Sequence, residues 1–120
     1  MAIKFDKALG VHAHALELRA ERARILAANL ANVSTPGYQA RDIDFAASLQ
    51  QALDGDADQA ALGTSRAEPL YRVPNHRSQD GNTVELGVEQ AAFSQNASDF
   101  QTSLTFINMK LRGLKQAIEG

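Results

Sequence analysis

"FSQNASDFQTSLTFINMKLRGLKQAI", Phe93 to Ile118, carries the pattern that decides the fold. Phe93, Ala97, Phe100, Leu104, Ile107, Leu111, Leu114 and Ile118 alternate by four and three residues, the seam of a helix that packs along its length on another helix. No proline interrupts Val88 to Glu119, and Gly113 is the one interior breaker. Lys110, Arg112 and Lys115 lie toward the C-terminal end, where the helix dipole favours cations. The pattern predicts a helix over residues 88–119, roughly 45 Å long.

A mate for that seam stands at the other end of the chain. Leu9, Ala13, Leu16, Ala20, Ala23, Ala27 and Leu30 repeat the four-three alternation with small residues that allow close helix approach. The two seams are expected to pack against each other within the chain. The first helix carries a second line, Val11, Leu18 and Ile25, about 180° around the helix from the first. A pair of helices covers only one face of each, so this second face is expected to need a partner. Isolated apolar residues are ordinary on a surface. Three at heptad spacing, with Phe106, Met109 and Gly113 set off the main seam of the last helix, favour repeated self-association.

With 120 residues the chain has the size of one ordinary domain. Aromatic residues make up only 6%, and tryptophan is absent, which predicts a thin, aliphatic core. The absence of cysteine excludes disulfides and thiolate chemistry. The charged N-terminus "MAIKFDKALGVHAHALEL" has no apolar stretch of the kind that signal peptides or membrane spans need. A net charge of −2 argues against general nucleic-acid binding.

All three prolines fall in residues 34–87, where four basic residues face eight acidic ones. "QQALDGDADQAALGTSRAEP", Gln50 to Pro69, has few large apolar residues to offset its ordering entropy and reads as a disordered linker. "ARDIDF" alternates polar and apolar residues, and "LYRV" with "TVEL" suits a short β-hairpin around Asp80-Gly81-Asn82. The expected organisation is a helix over residues 1–33, turns, linker and short extended pieces over 34–87, and a helix over 88–120. Together they form one mainly α, coiled-coil-like unit.

Little points to chemistry. His12 and His14, two apart on a helix, point about 200° from each other and cannot share an ion. "DGDADQAALGTS" begins like a calcium loop, but Gln59 replaces its turn glycine and Ser65 its bidentate glutamate. No nucleophile signature or phosphate-binding glycine motif occurs, so neither a catalytic site nor a metal, cofactor or small-molecule substrate is expected. Arg19, Arg22 and Arg24, mixed with Glu17 and Glu21, read as an ion-paired helix surface.

The remaining signal is the junction "ANLANVSTPGYQARDIDF", Ala28 to Phe45. Asn29 and Asn32 share a helix face, where amides can bond carbonyls freed at the helix end or groups on a neighbouring chain. Pro36 forbids continuation, and Pro36-Gly37 fits the centre of a type II turn. "LAANLANVSTPGY" resembles the corresponding stretch of the bacterial flagellar axial proteins. "TPGYQARDIDF", "LYRVP" and "DGNTVEL" resemble the proximal rod members among them. Ala28 stands where many axial relatives have a further asparagine, which counts against the hook and distal rod members. The middle is too short for the extra β domains of the larger ones.

The resemblance implies a structural rod subunit of the flagellar basal body, periplasmic in a two-membrane cell and exported by the flagellar type III apparatus without signal cleavage. Its implied partners are other rod subunits, the ring-to-rod adaptor and that apparatus, with Asn29, Asn32, Thr35, Pro36, Gly37 and Tyr38 as motif and contact residues. A soluble helical adaptor or export chaperone is the alternative.

Overall fold

The computed structural model describes residues 5–54 and 69–120. Helix α1 runs Phe5–Ala31, strand β1 Arg41–Asp42, helix α2 Phe45–Asp54, strand β2 Leu70–Tyr71 and helix α3 Leu86–Glu119. The two long helices lie antiparallel. Asn29 of α1 meets Glu89 of α3, Arg19 meets Asp99, and His12 stacks near Phe106, so each step forward along α1 is matched by an equal step back along α3. The result is an elongated body of 63 × 28 × 18 Å.

The burial around α1 departs from the expected seam. Leu18 (6% exposed) and Ile25 (8%) are buried within the chain, together with Ala15, Leu26 and Asn29. Their face therefore needs no second molecule, because α2 and β1 pack on α1 as well as α3 does. Two helices cannot cover opposite faces of α1, but a third element can. Of the second line only Val11 is exposed. On the other side, Leu9, Leu16 and Leu30 are half-buried while Ala13, Ala20 and Ala27 face solvent, at little cost for so small a side chain.

Helix α3 splits its seam. Phe100, Ile107 and Leu114 are half-buried, whereas Phe93, Leu104 (39% exposed), Leu111 (47%) and Ile118 (70%) lie open, as do Phe106 and Met109. The physical reason is that the side of α3 turned to α1 passes through Glu89 and Asn96, its two buried residues. That line is rotated away from the predicted one.

Two further differences concern the middle. Gln50 to Asp54, expected in the linker, belong to α2, whose Phe45, Leu49 and Ala52 repeat at helical spacing and are half-buried. The rest of the expected disordered stretch, residues 55–68, lies outside the described residues. "LYRV" does not pair with "TVEL". Instead β2 pairs antiparallel with β1, Arg41 opposite Tyr71 and Asp42 opposite Leu70, so the small sheet joins distant segments.

Candidate functional site

The site is built where α1 ends. Its last turn tightens as Asn32 N bonds both Ala28 O and Asn29 O at 3.1 Å, and Tyr38 N closes the following turn on Thr35 O at 3.2 Å. Gly37 takes φ 75°, a value that a side chain disfavours. The carbonyls just beyond the helix are held from afar. Asn82 Nδ2 donates to Asn32 O (3.0 Å), Val33 O (3.0 Å) and Thr35 O (2.8 Å), three acceptors sharing two N–H groups.

The rest of the "DGNT" turn docks on "PGYQA". Gly37 N donates to Asp80 O and Thr83 N to Tyr38 O, both at 2.9 Å, while Ala40 N donates to Thr83 Oγ1 at 2.8 Å. Gly81 also has a positive φ, 76°, and a Cβ there would lie 3.7 Å from Gly37 Cα. Two of the sequence stretches that carried the resemblance thus bind each other directly.

Behind the turns sits a polar knot. Arg22 clasps Asp42 with two bonds, Nε to Oδ1 at 2.8 Å and Nη2 to Oδ2 at 3.1 Å, and Arg72 Nη2 reaches the same Oδ2 at 2.8 Å. Arg72 also approaches Glu89, Nε to Oε1 at 2.9 Å, a close ion pair without hydrogen-bond alignment. Asn29 completes the knot. Its Nδ2 donates to Glu89 Oε2 (2.9 Å) and Arg41 O (2.7 Å), and its Oδ1 accepts from Arg41 N (3.1 Å). Tyr38 OH lies at the edge of hydrogen-bond range, 3.5 Å from the same oxygen.

Electrostatics favour the charged forms of Asp42 and Arg22. Burial pushes the Asp42 carboxyl upward, but the Arg22 hydrogen bonds, the Ile43 N–H and the charges of Arg22 and Arg72 outweigh it, leaving the pKa below its ordinary value. The Arg22 guanidinium is held above its usual range, chiefly by its hydrogen bond to Asp42. Arg19 and Arg22 consequently pair with carboxylates of other segments, Asp99 and Asp42, where the sequence reading had an ion-paired helix surface. Arg19 lies 3.5 Å over the Phe45 ring and pairs with Asp99 at 3.3 Å. Of the three arginines, Arg24 makes the expected surface pair, with Glu21.

Among the expected contact residues, Asn29 is fully buried and its amide is engaged inside the chain, so it is not available to a neighbour. Asn32 folds back on Ala28 O at 2.8 Å and accepts from Thr35 Oγ1 at 3.0 Å. Thr35, Pro36 and Gly37 are exposed and Tyr38 half-buried, so the turn presents a surface. Sequence reasoning passed over Asp42, Arg72, Asn82 and Glu89, whose only advance signal was polar residues beside recurrent turn motifs. Among the described residues, no group of three or more potential metal ligands occurs, and no helix is long and apolar enough to cross a membrane.

A hydrogen-bonded joint at one end of a long helix pair, with unpartnered apolar side chains along its flank, is the anatomy of an assembly subunit. The family described as Flagella basal body rod protein matches residues 9–39, from the first turns of α1 through Tyr38 and Gln39. Relatives extend the similarity to nearly the whole chain. The flagellar basal body rod protein FlgB of Cereibacter sphaeroides is 47% identical, with 97% of each chain covered. That of Aeromonas hydrophila is 40% identical over 100% of this chain and 98% of its own. That of Salmonella typhimurium is 38% identical over 100% and 99%. The chain belongs to the FlgB family of flagellar basal body rod proteins.

Proposed function

We propose that this chain is a structural, non-enzymatic subunit of the proximal rod, joined to neighbouring rod subunits through the open flank of α3 and needed for motility. One observation carries the reading: Phe93, Leu104, Leu111 and Ile118 stay exposed on a helix whose other side is taken by α1. Such a line is costly in water and gains by burial against another helix. Contacts of this kind that do not close into a ring build a helical tube. The exposed turn, Thr35 to Gly37 with Asn32 and Tyr38, lies at the end of the subunit where α1 stops and α3 begins, and would orient it against the next one. The further partners are the ring-to-rod adaptor and the flagellar type III export apparatus. The rod location is periplasmic in a two-membrane cell, reached without signal cleavage.

The test is complementation of a deletion strain with Leu104→Asp, Leu111→Asp or both. Export, recovery in detergent-washed basal bodies and swimming are scored separately. The expected outcome is normal export with loss of basal-body recovery and motility. Wild-type incorporation of the double variant overturns the flank as the assembly surface. A wild-type protein that stays wholly in the cytosol overturns the rod assignment and leaves a soluble adaptor or chaperone.

A further inference from the structure

The apolar pattern that pairs α1 with α3 repeats every seven residues, and a repeat does not define its own alignment. Phe100, Ile107 and Leu114, the half-buried apolar line of α3, are spaced by seven. Moving α3 along α1 by one repeat, about 10 Å, lays each of them where its neighbour had been. Apolar burial alone would therefore tolerate several alignments of the two helices.

The two buried residues of α3 do not tolerate it. Glu89 (0% exposed) and Asn96 (1%) stand seven apart on the same face, with different partners. Glu89 takes the amide of Asn29 and the guanidinium of Arg72, whereas Asn96 Nδ2 donates to Arg19 O at 2.8 Å. A slip one way puts Asn96 opposite Arg72, which loses its buried carboxylate. A slip the other way puts Glu89 against the Arg19 carbonyl, where an acceptor-only group meets an acceptor. Either error buries an unmatched polar group.

Asn96 also carries a cost that stability alone does not explain. Its Oδ1 has no hydrogen-bond partner among the described residues, a penalty that a leucine at 96 would remove. We infer that Glu89 and Asn96 form a two-position code that selects the alignment of α3 on α1, and through it how far the C-terminal end of α3 projects. Alignment matters to any assembly that uses the flank of α3, because a slip of about 10 Å moves Leu104, Leu111 and Ile118 relative to everything fixed on α1.

The absence of cysteine makes the test direct. Spin labels on Ala27→Cys of α1 and Asn108→Cys of α3, both exposed positions, report the separation along the helix axis. Labelled chain is diluted with unlabelled chain to remove distances between molecules. The parent should give one narrow distance. Glu89→Asn makes the two positions identical and should add a second population displaced by about 10 Å, with helicity kept. Asn96→Leu should add a smaller one with an equal or higher thermal midpoint. A single unshifted distance in both variants overturns the inference, since the docked turns alone would then hold the alignment. Loss of helicity in Asn96→Leu also overturns it, because Asn96 would then be holding the fold.

Discussion

The side-chain amide of Asn29 donates to the Glu89 carboxylate across 2.9 Å, and neither residue is exposed. This contact joins the last turn of α1 to the first turn of α3 and brings β1 with it, because the same amide also holds both backbone groups of Arg41. Asn29→Ala leaves those groups without their partner and one carboxylate oxygen with only the long bond from Arg72 Nη2, at 3.5 Å. Urea unfolding should show a loss of about 2–4 kcal/mol. A loss below about 0.5 kcal/mol would mean that solvent reaches the joint.

Asn82 separates donor from acceptor function within one side chain. Its nitrogen holds three carbonyls of the turn that follows α1, and its oxygen accepts from Val84 N at 2.7 Å. Asn82→Asp keeps the second role and turns the first into repulsion, so it should destabilise more than Asn82→Ala, which is expected to cost about 1–3 kcal/mol. The order of the two denaturation midpoints checks this, and the reverse order refutes the cap.

Asp42 gives the joint a pH dependence of known sign. Its folded pKa is lowered, so the folded state binds fewer protons than the unfolded one. Its contribution is complete above the ordinary carboxylate range and disappears as pH falls through the lowered value. The stability gap between the parent and Asp42→Asn should be constant above about pH 5 and close below about pH 4. Chemical denaturation at several pH values measures that gap, and one that persists unchanged to about pH 2 contradicts the ion-pair account.

Ile25 and Leu111 are both aliphatic residues on seam-like spacings with opposite environments. Ile25→Ala should destabilise the isolated chain by about 2–4 kcal/mol, while Leu111→Ala should change it by less than about 1 kcal/mol. Comparable losses in thermal unfolding would show that the free chain covers the α3 flank.

Both long helices were legible because their signals are local: periodicity, missing prolines and a proline-glycine stop. Which faces meet was not. The a/d spacing of α3 identifies an apolar line but says nothing about whether α1 or a neighbour covers it, and the intramolecular contact runs instead through Glu89 and Asn96. Their partners lie 60 and 77 residues away, beyond any window that periodicity can read. The Leu18 and Ile25 face was judged open because α2 was hidden. "FAASLQQALD" merges without a break into the acidic stretch that follows it. The strand pairing failed for a related reason: a hairpin is the nearest solution in sequence, but "LYRV" finds β1 instead. At the candidate site, the exposed turn could be read from Pro36 and Gly37. The knot behind it could not, since Arg22, Asp42, Arg72 and Glu89 acquire meaning only when four segments converge.

The turn after α1 has a bearing on how the chain comes to be finished. The helix is complete by Ala31, yet the donor that holds the carbonyls of Asn32, Val33 and Thr35 is Asn82, about fifty residues later. A ribosome delivers the N-terminus first. The newly made turn therefore waits for its Asn82 donor until most of the chain has emerged, and the entropy of closing that long loop delays the joint further. A product cut short before residue 82 would contain α1 entire but lack both the Asn82 amide and Glu89, so the joint could not close.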